Sequence, residues 1–195
     1  MNRKGAPGAV NELRIADCRL RIELVAVRVL AIDPSLRSTG FAVLETDGRV
    51  DAARTLDFGI IANPRSVLAT GCLVEIRRRI VELVAKHAPD CCAVEGVIFV
   101  QSYRTAITLG AARGAALLAA AEHGLPIFEY APKAVKMAVV GRGGAQKDQV
   151  AFMVRALLGL KKTPAADEAD ALAIGLTHLR QSSGGLRALR APGRI

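Results

Sequence analysis

Val27-Arg28-Val29-Leu30-Ala31-Ile32-Asp33-Pro34, followed by Gly40-Phe41-Ala42-Val43-Leu44-Glu45, is the stretch on which the fold turns. The first run is apolar and β-branched and predicts a strand. Pro34 stops it, because proline has no N–H to give to a ladder. Gly40 to Glu45 reads as the returning strand across a Ser/Arg/Thr-rich loop, and a third strand near Arg54 to Ile60 completes a meander. Asp33 follows directly on the buried run. A carboxylate there carries a desolvation cost, tolerable if it coordinates a cation or accepts several hydrogen bonds.

Downstream, the pattern changes period. From Val67 to Lys86 the apolar positions Leu68, Cys72, Ile76, Ile80 and Leu83 recur at helical spacing, with Glu75/Arg79 and Glu82/Lys86 as expected i,i+4 pairs. Pro89-Asp90 closes that helix. Cys91 to Val94 has the continuous apolar character of a strand buried on both faces, and Glu95 sits at its end. Arg104 to Glu122 predicts an Ala- and Leu-rich helix, with Gly110 and Gly114 small enough for close approach to a neighbour and Gly124 as its stop. Pro126 to Tyr130 is a further short strand. Helical patches at Pro132 to Val139 and Gln146 to Leu158 flank the basic loop Gly141-Arg142-Gly143-Gly144, and a last helix follows Thr163-Pro164. The order βββαβαβα predicts an α/β fold, a mixed five-stranded sheet with helices on both faces.

Upstream of Val27 the chain is turn-forming and without period, so residues 1–26 are expected to be a disordered extension, residues 27–182 the folded domain, and residues 183–195 a basic flexible tail. At 195 residues and 51% hydrophobic content the chain can bury one sizeable core. Apolar runs are interrupted by Arg28 and Arg113, short of the roughly 18 residues a membrane span needs. The N-terminus lacks the apolar segment of a secretion signal. Cys18, Cys72, Cys91 and Cys92 form no CxxC pair and read as reduced thiols in a cytoplasmic protein.

The net charge of +9 favours an anionic partner, and its distribution is uneven. From Ala131 to Lys162 the bases Lys133, Lys136, Arg142, Lys147, Arg155, Lys161 and Lys162 face one acid, Asp148, and after His178 come Arg180, Arg187, Arg190 and Arg194 with none. With five Phe, two Tyr and no Trp, a broad base-stacking platform has few candidates. Asp167 and Asp170, three apart near the start of the last helix, share one side of it where the macrodipole favours negative charge. Singly, each of Asp33, Glu95, Asp167 and Asp170 has an ordinary structural use. Together, acids from separate segments that meet at one sheet edge suit a pair of divalent cations, hard oxygen ligands favouring Mg²⁺ or Mn²⁺. His87, His123 and His178 show no zinc spacing, and neither a GxSxG elbow nor a Walker A order is present.

From Val27 to Leu179 the chain resembles the RuvC family of Holliday junction endonucleases. The likeness rests on Ala31-Ile32-Asp33-Pro34 with Gly40, on Ala93-Val94-Glu95, on Leu109 to Gly114, on Phe128-Glu129-Tyr130-Ala131, on Val135 to Gly141 and on Ala166 to Ala173. The resemblance implies an RNase H-like fold and a structure-selective DNA endonuclease that resolves four-way junctions by symmetric nicks. It makes Asp33, Glu95, Asp167 and Asp170 the catalytic, metal-binding acids, with two Mg²⁺ per subunit for which Mn²⁺ can substitute. Lys136 and Lys147 fall where the family has DNA-contacting or catalytically supporting lysines, and Arg142 in the basic loop is expected to join them on DNA. A homodimer acting with a RuvA–RuvB branch-migration complex is also implied. Ser35 stands where the family usually has Gly, and Gly96 where it has Gln. The family's base-engaging aromatic aligns with Ile98, so Phe99 or Tyr103 is expected to substitute. Two other readings stay open: a junction-binding protein silenced by the Ser35 and Gly96 changes, and a nucleotide-binding domain of the actin and sugar-kinase type, whose two lobes exceed this length.

Overall fold

Eleven elements follow in the computed structural model, which describes residues 26–47, 52–97, 102–183 and 193–195. In chain order they are β1 (Val27–Asp33), β2 (Ser38–Thr46), β3 (Arg54–Ala62), α1 (Ala69–His87), β4 (Cys91–Glu95), α2 (Tyr103–Glu122), β5 (Ile127–Tyr130), α3 (Pro132–Val140), α4 (Lys147–Leu157), α5 (Ala166–Ser183) and β6 (Gly193–Arg194). The sheet order is β3-β2-β1-β4-β5-β6. The meander β1–β2–β3 is antiparallel, whereas β1, β4 and β5 run parallel, as strands joined by crossover helices must. The five expected strands are present. Beyond them Gly193–Arg194 pairs antiparallel with β5, and the Ile195 N–H donates to the Ile127 carbonyl at 3.2 Å. Two residues are too few to show a period, so this edge strand left no mark in the sequence pattern. The expected extension, apart from Ala26, and residues 184–192 of the expected tail lie outside the described residues.

The period-two alternation of the central strands sorts their side chains into two cores. Leu30 and Ile32 of β1, Phe41 and Val43 of β2, and Cys92 and Val94 of β4 meet α1 and α2 on one face, against Ile76, Ile80, Ala112 and Ala116. Val29 and Ala31, Ala42 and Leu44, and Cys91 and Ala93 meet α3, α4 and α5 on the other, against Val135, Val150, Leu172 and Ile174. Burial of each large aliphatic side chain contributes about 1.5–3 kcal/mol, so both faces are needed to hold the helices. Helix ends follow the residues available. Gly124 and Gly141 take positive φ of 69° and 78° after α2 and α3, and the Ser102 hydroxyl accepts the Thr105 N–H at 3.2 Å to cap α2.

The ion pairs on α1 differ from the expected set. Arg78 bridges Glu75 and Glu82, Arg79 takes Glu82, and Lys86 leaves the helix to meet Asp57 of β3 at 2.7 Å. Both i,i+3 and i,i+4 geometries were open to these side chains, and Asp57 competes for Lys86 only because β3 packs beside α1. Cys72, Cys91 and Cys92 are buried free thiols, as expected. Among the described residues, no helix is long and apolar enough to cross a membrane.

Candidate active site

The β1–β4 register pairs Ile32 with Val94, so the next residue on each parallel strand, Asp33 and Glu95, emerges at the same carboxyl edge. From β1 the chain turns toward β2, and from β4 it proceeds toward β5. This divergence opens a crevice at the strand ends, the usual ligand position in open α/β sheets. A cavity of about 340 Å³ lies there, lined by Asp33, Pro34, Glu95, Gly96, Leu109 and Arg113. The start of α5 brings Asp167 and Asp170 to Asp33. One carboxylate oxygen each from Asp33, Asp167 and Asp170 lies within 4.8 Å of the others. Glu95 stands outside that trio, close enough for its charge to couple to Asp170.

Such crowding has an electrostatic signature. Burial, followed by the charges of Asp170, Glu95 and Asp167, pushes the Asp33 carboxyl up to about 7, against a pull from Lys147. Glu95 is raised by burial and by Asp170, offset by Lys147 and Lys136. The Lys147 ammonium donates to Asp170 Oδ2 at 3.0 Å, and this bond, then the charges of Asp170, Asp33 and Asp167, raises its pKa. Two lysines do not neutralise four acids. The donors are hard oxygens without sulfur or nitrogen, and the excess negative charge is partly buried, so the residues fit a hard divalent cation.

All four acids named from the sequence therefore come to one edge, and Lys136 and Lys147 come with them. Arg142 is exposed in the α3–α4 loop away from these contacts, and Tyr103 is 91% exposed at the start of α2. Phe99 lies outside the described residues. His178 takes no part in the acidic cluster. It is buried against the sheet, its Nδ1 2.7 Å from the Tyr130 hydroxyl and its Nε2 3.1 Å from Cys91 Sγ.

Three residues at the site had escaped sequence reading. Arg113 donates to the Glu95 carbonyl at 2.6 Å and pairs with Glu129 of β5, bracing the end of β4 from below. Both lie in segments that carried the family likeness, Leu109 to Gly114 and Phe128 to Ala131, but nothing in the pattern assigned either side chain to the site. Ser38, at the start of β2, donates to Asp167 Oδ2; no sequence pattern singled it out. Of the two departures from the family pattern, Gly96 has a local explanation, whereas the contacts at position 35 are made by its main chain and nothing in them calls for serine rather than glycine. The Ser35 N–H donates to Thr39 Oγ1 at 3.1 Å while the Thr39 hydroxyl donates to the Ser35 carbonyl at 2.5 Å, closing the β1–β2 loop. A Cβ on Gly96 would lie 2.7 Å from Glu129 Oε1, so the missing side chain is the space Glu129 uses.

A mixed sheet of this order, with helices on both faces and acids from β1, β4 and α5 at one edge, defines an RNase H-like protein of the nuclease class. Comparison narrows the class. The model of the family "Crossover junction endodeoxyribonuclease RuvC" matches residues 29–178. The RuvC crossover junction endodeoxyribonuclease of Akkermansia muciniphila is 60% identical over 153 residues, 78% of this chain and 90% of that protein. That of Halorhodospira halophila is 44% identical over 161 residues, 83% of this chain and 95% of that one. Among solved structures, Thermus thermophilus RuvC in complex with a Holliday junction substrate superposes with a TM-score of 0.76 at 34% identity, covering 87% of this chain and 99% of the other. The chain belongs to the RuvC family of crossover junction endodeoxyribonucleases. Nucleases of this family depend on a divalent metal.

Proposed function

We propose that this chain is a structure-selective endonuclease that resolves Holliday junctions by paired nicks, in DNA recombination and repair in the cytoplasm. The observation that carries the reading is the convergence of Asp33, Asp167 and Asp170 within 4.8 Å at the sheet edge that also holds Glu95. In this reading these four acids hold two Mg²⁺ ions, with Mn²⁺ able to substitute. The ions would supply an activated water and charge stabilisation on the leaving oxygen. The chain's own residues do the rest. Lys147 holds Asp170, Arg113 fixes the backbone beneath Glu95, and burial keeps Asp33 short of hydration so that it favours a cation over solvent.

Lys136, Lys147 and Arg142 are the proposed phosphate contacts, with Phe99 and Tyr103 as the aromatics nearest the junction centre. A second subunit is proposed along α2, where Ile107, Gly110, Ala111, Gly114 and Leu118 form a stripe and Ile107 and Leu118 are 73% and 52% exposed. An isologous pair would present two identical sites to strands of like polarity, and a RuvA–RuvB complex is the proposed partner in branch migration.

The test is cleavage of a labelled four-way junction and a matched linear duplex in Mg²⁺ or EDTA. Symmetric nicks confined to the junction in Mg²⁺, reduced more than about 100-fold in Asp33→Asn, are expected. Binding without cleavage in Mg²⁺ and Mn²⁺ would overturn the reading.

A further inference from the structure

The start of β2 meets the first turn of α5 at two points. A Cβ on Gly40 would lie 2.1 Å from the Asp167 carbonyl oxygen, so main chain approaches main chain there only because position 40 has no side chain. Two residues earlier, and therefore on the same face of the strand, the Ser38 hydroxyl donates to Asp167 Oδ2. Main-chain contact places the residue and the hydroxyl places its carboxylate. Thr39 between them points elsewhere, its hydroxyl donating to Ser35, and Lys147 is engaged with Asp170. Among the described residues, Ser38 supplies the side-chain hydrogen bond to Asp167.

Without that bond Asp167, half-buried on the outer turn of a helix, would sample several staggered rotamers, of which few keep an oxygen within 4.8 Å of both Asp33 and Asp170. We propose that Ser38 is a positioning residue for Asp167: its hydroxyl selects the rotamer that completes the cation site and so sets metal affinity. The inference rests on reading Asp167 as a metal ligand. A partner that orients a ligand in this way is worth about 10- to 100-fold in metal affinity or activity.

The experiment measures Mn²⁺ binding to the full chain by calorimetry, alongside the Mg²⁺ dependence of junction cleavage and junction affinity in EDTA. In Ser38→Ala, Mn²⁺ affinity is expected to fall about 10- to 100-fold and the Mg²⁺ midpoint to rise in parallel, with junction affinity within about twofold. Ser38→Thr, which keeps a hydroxyl, is expected to retain both, and Ser38→Cys, a weaker donor of similar size, to fall between. In an Asp167→Asn background Ser38→Ala should add nothing, as coupling through one contact requires. Mn²⁺ affinity unchanged in Ser38→Ala while the wild type binds Mn²⁺ and Asp167→Asn does not overturns this inference alone. A wild type that binds no Mn²⁺, or an Asp167→Asn that binds it normally, overturns the ligand reading and the inference with it.

Discussion

At Asp33 three other carboxylates converge on a group that burial already disfavours as an anion, which is why its pKa is raised from 3.8 to about 7. An acid whose folded pKa is raised holds its proton more tightly in the native state, so its contribution to stability declines as pH rises from about 4 through 7. Without metal above pH 7 the full cost persists, at most about 4 kcal/mol. Asp33→Asn is therefore expected to melt higher than wild type in EDTA at pH 8, with the gap closing near pH 4; a lower melting temperature at pH 8 would contradict this. His178 acts in the opposite sense. Burial lowers its pKa from 6.5 to about 4, so the unfolded chain binds the proton first and stability falls as pH drops from 6.5 to 4. The loss is about 3 kcal/mol. His178→Asn, which cannot take up that proton, is expected to start from lower stability and to lack this acid limb in urea titrations across that range.

Among the elements, the packing of α5 across β1 and β2 decides the site, and glycines set its distance. Added Cβ atoms at Gly40 and Gly175 would strike the Asp167 backbone and the Leu44 side chain at 2.1 and 2.6 Å. The first obstacle is main chain and cannot rotate away. Gly40→Ala is expected to cost about 3 kcal/mol or more in denaturant unfolding and to weaken Mn²⁺ binding with it. Gly96→Ala makes the contrast, because its obstacle is the end of the Glu129 side chain, and a loss of about 1 kcal/mol is expected, chiefly from disturbing the Arg113 pair. Equal losses at the two positions would show that the α5 approach is not what Gly40 protects. The elements themselves could be read in advance from period and punctuation. Strand and helix ends agreed to within a few residues because Pro34, Gly124 and Pro164 act locally. The α1 ion pairs did not, since Lys86 finds Asp57 across a contact that no local rule contains.

For the whole molecule, the excess of base over acid between Ala131 and Lys162 falls on α3, α4, their loop and the segment after α4, with Lys136 and Lys147 beside the acids. Phosphate contacts made by such a surface release counterions, so junction affinity is expected to fall steeply with salt. Lys136→Ala should weaken binding across junction sequences and reduce the log–log salt slope by about one, measured by gel shift between 50 and 200 mM salt. An unchanged slope would remove Lys136 from the DNA face. From the sequence alone come the strand–helix order, the basic character, and the four acids as a set, because periodicity, breakers and motif order are carried by neighbours along the chain. Only the tertiary structure decided that Asp167 and Asp170 come to Asp33, that Arg113 and Glu129 brace Glu95, that Ser38 holds Asp167, and that Gly193–Arg194 extends the sheet. Some of those contacts join segments more than 100 residues apart, as between Ser38 and Asp167, 129 positions away from each other. They exist because two-sided burial of the sheet brings α2 and α5 to its opposite faces, a constraint on the whole fold that leaves no trace in any local pattern.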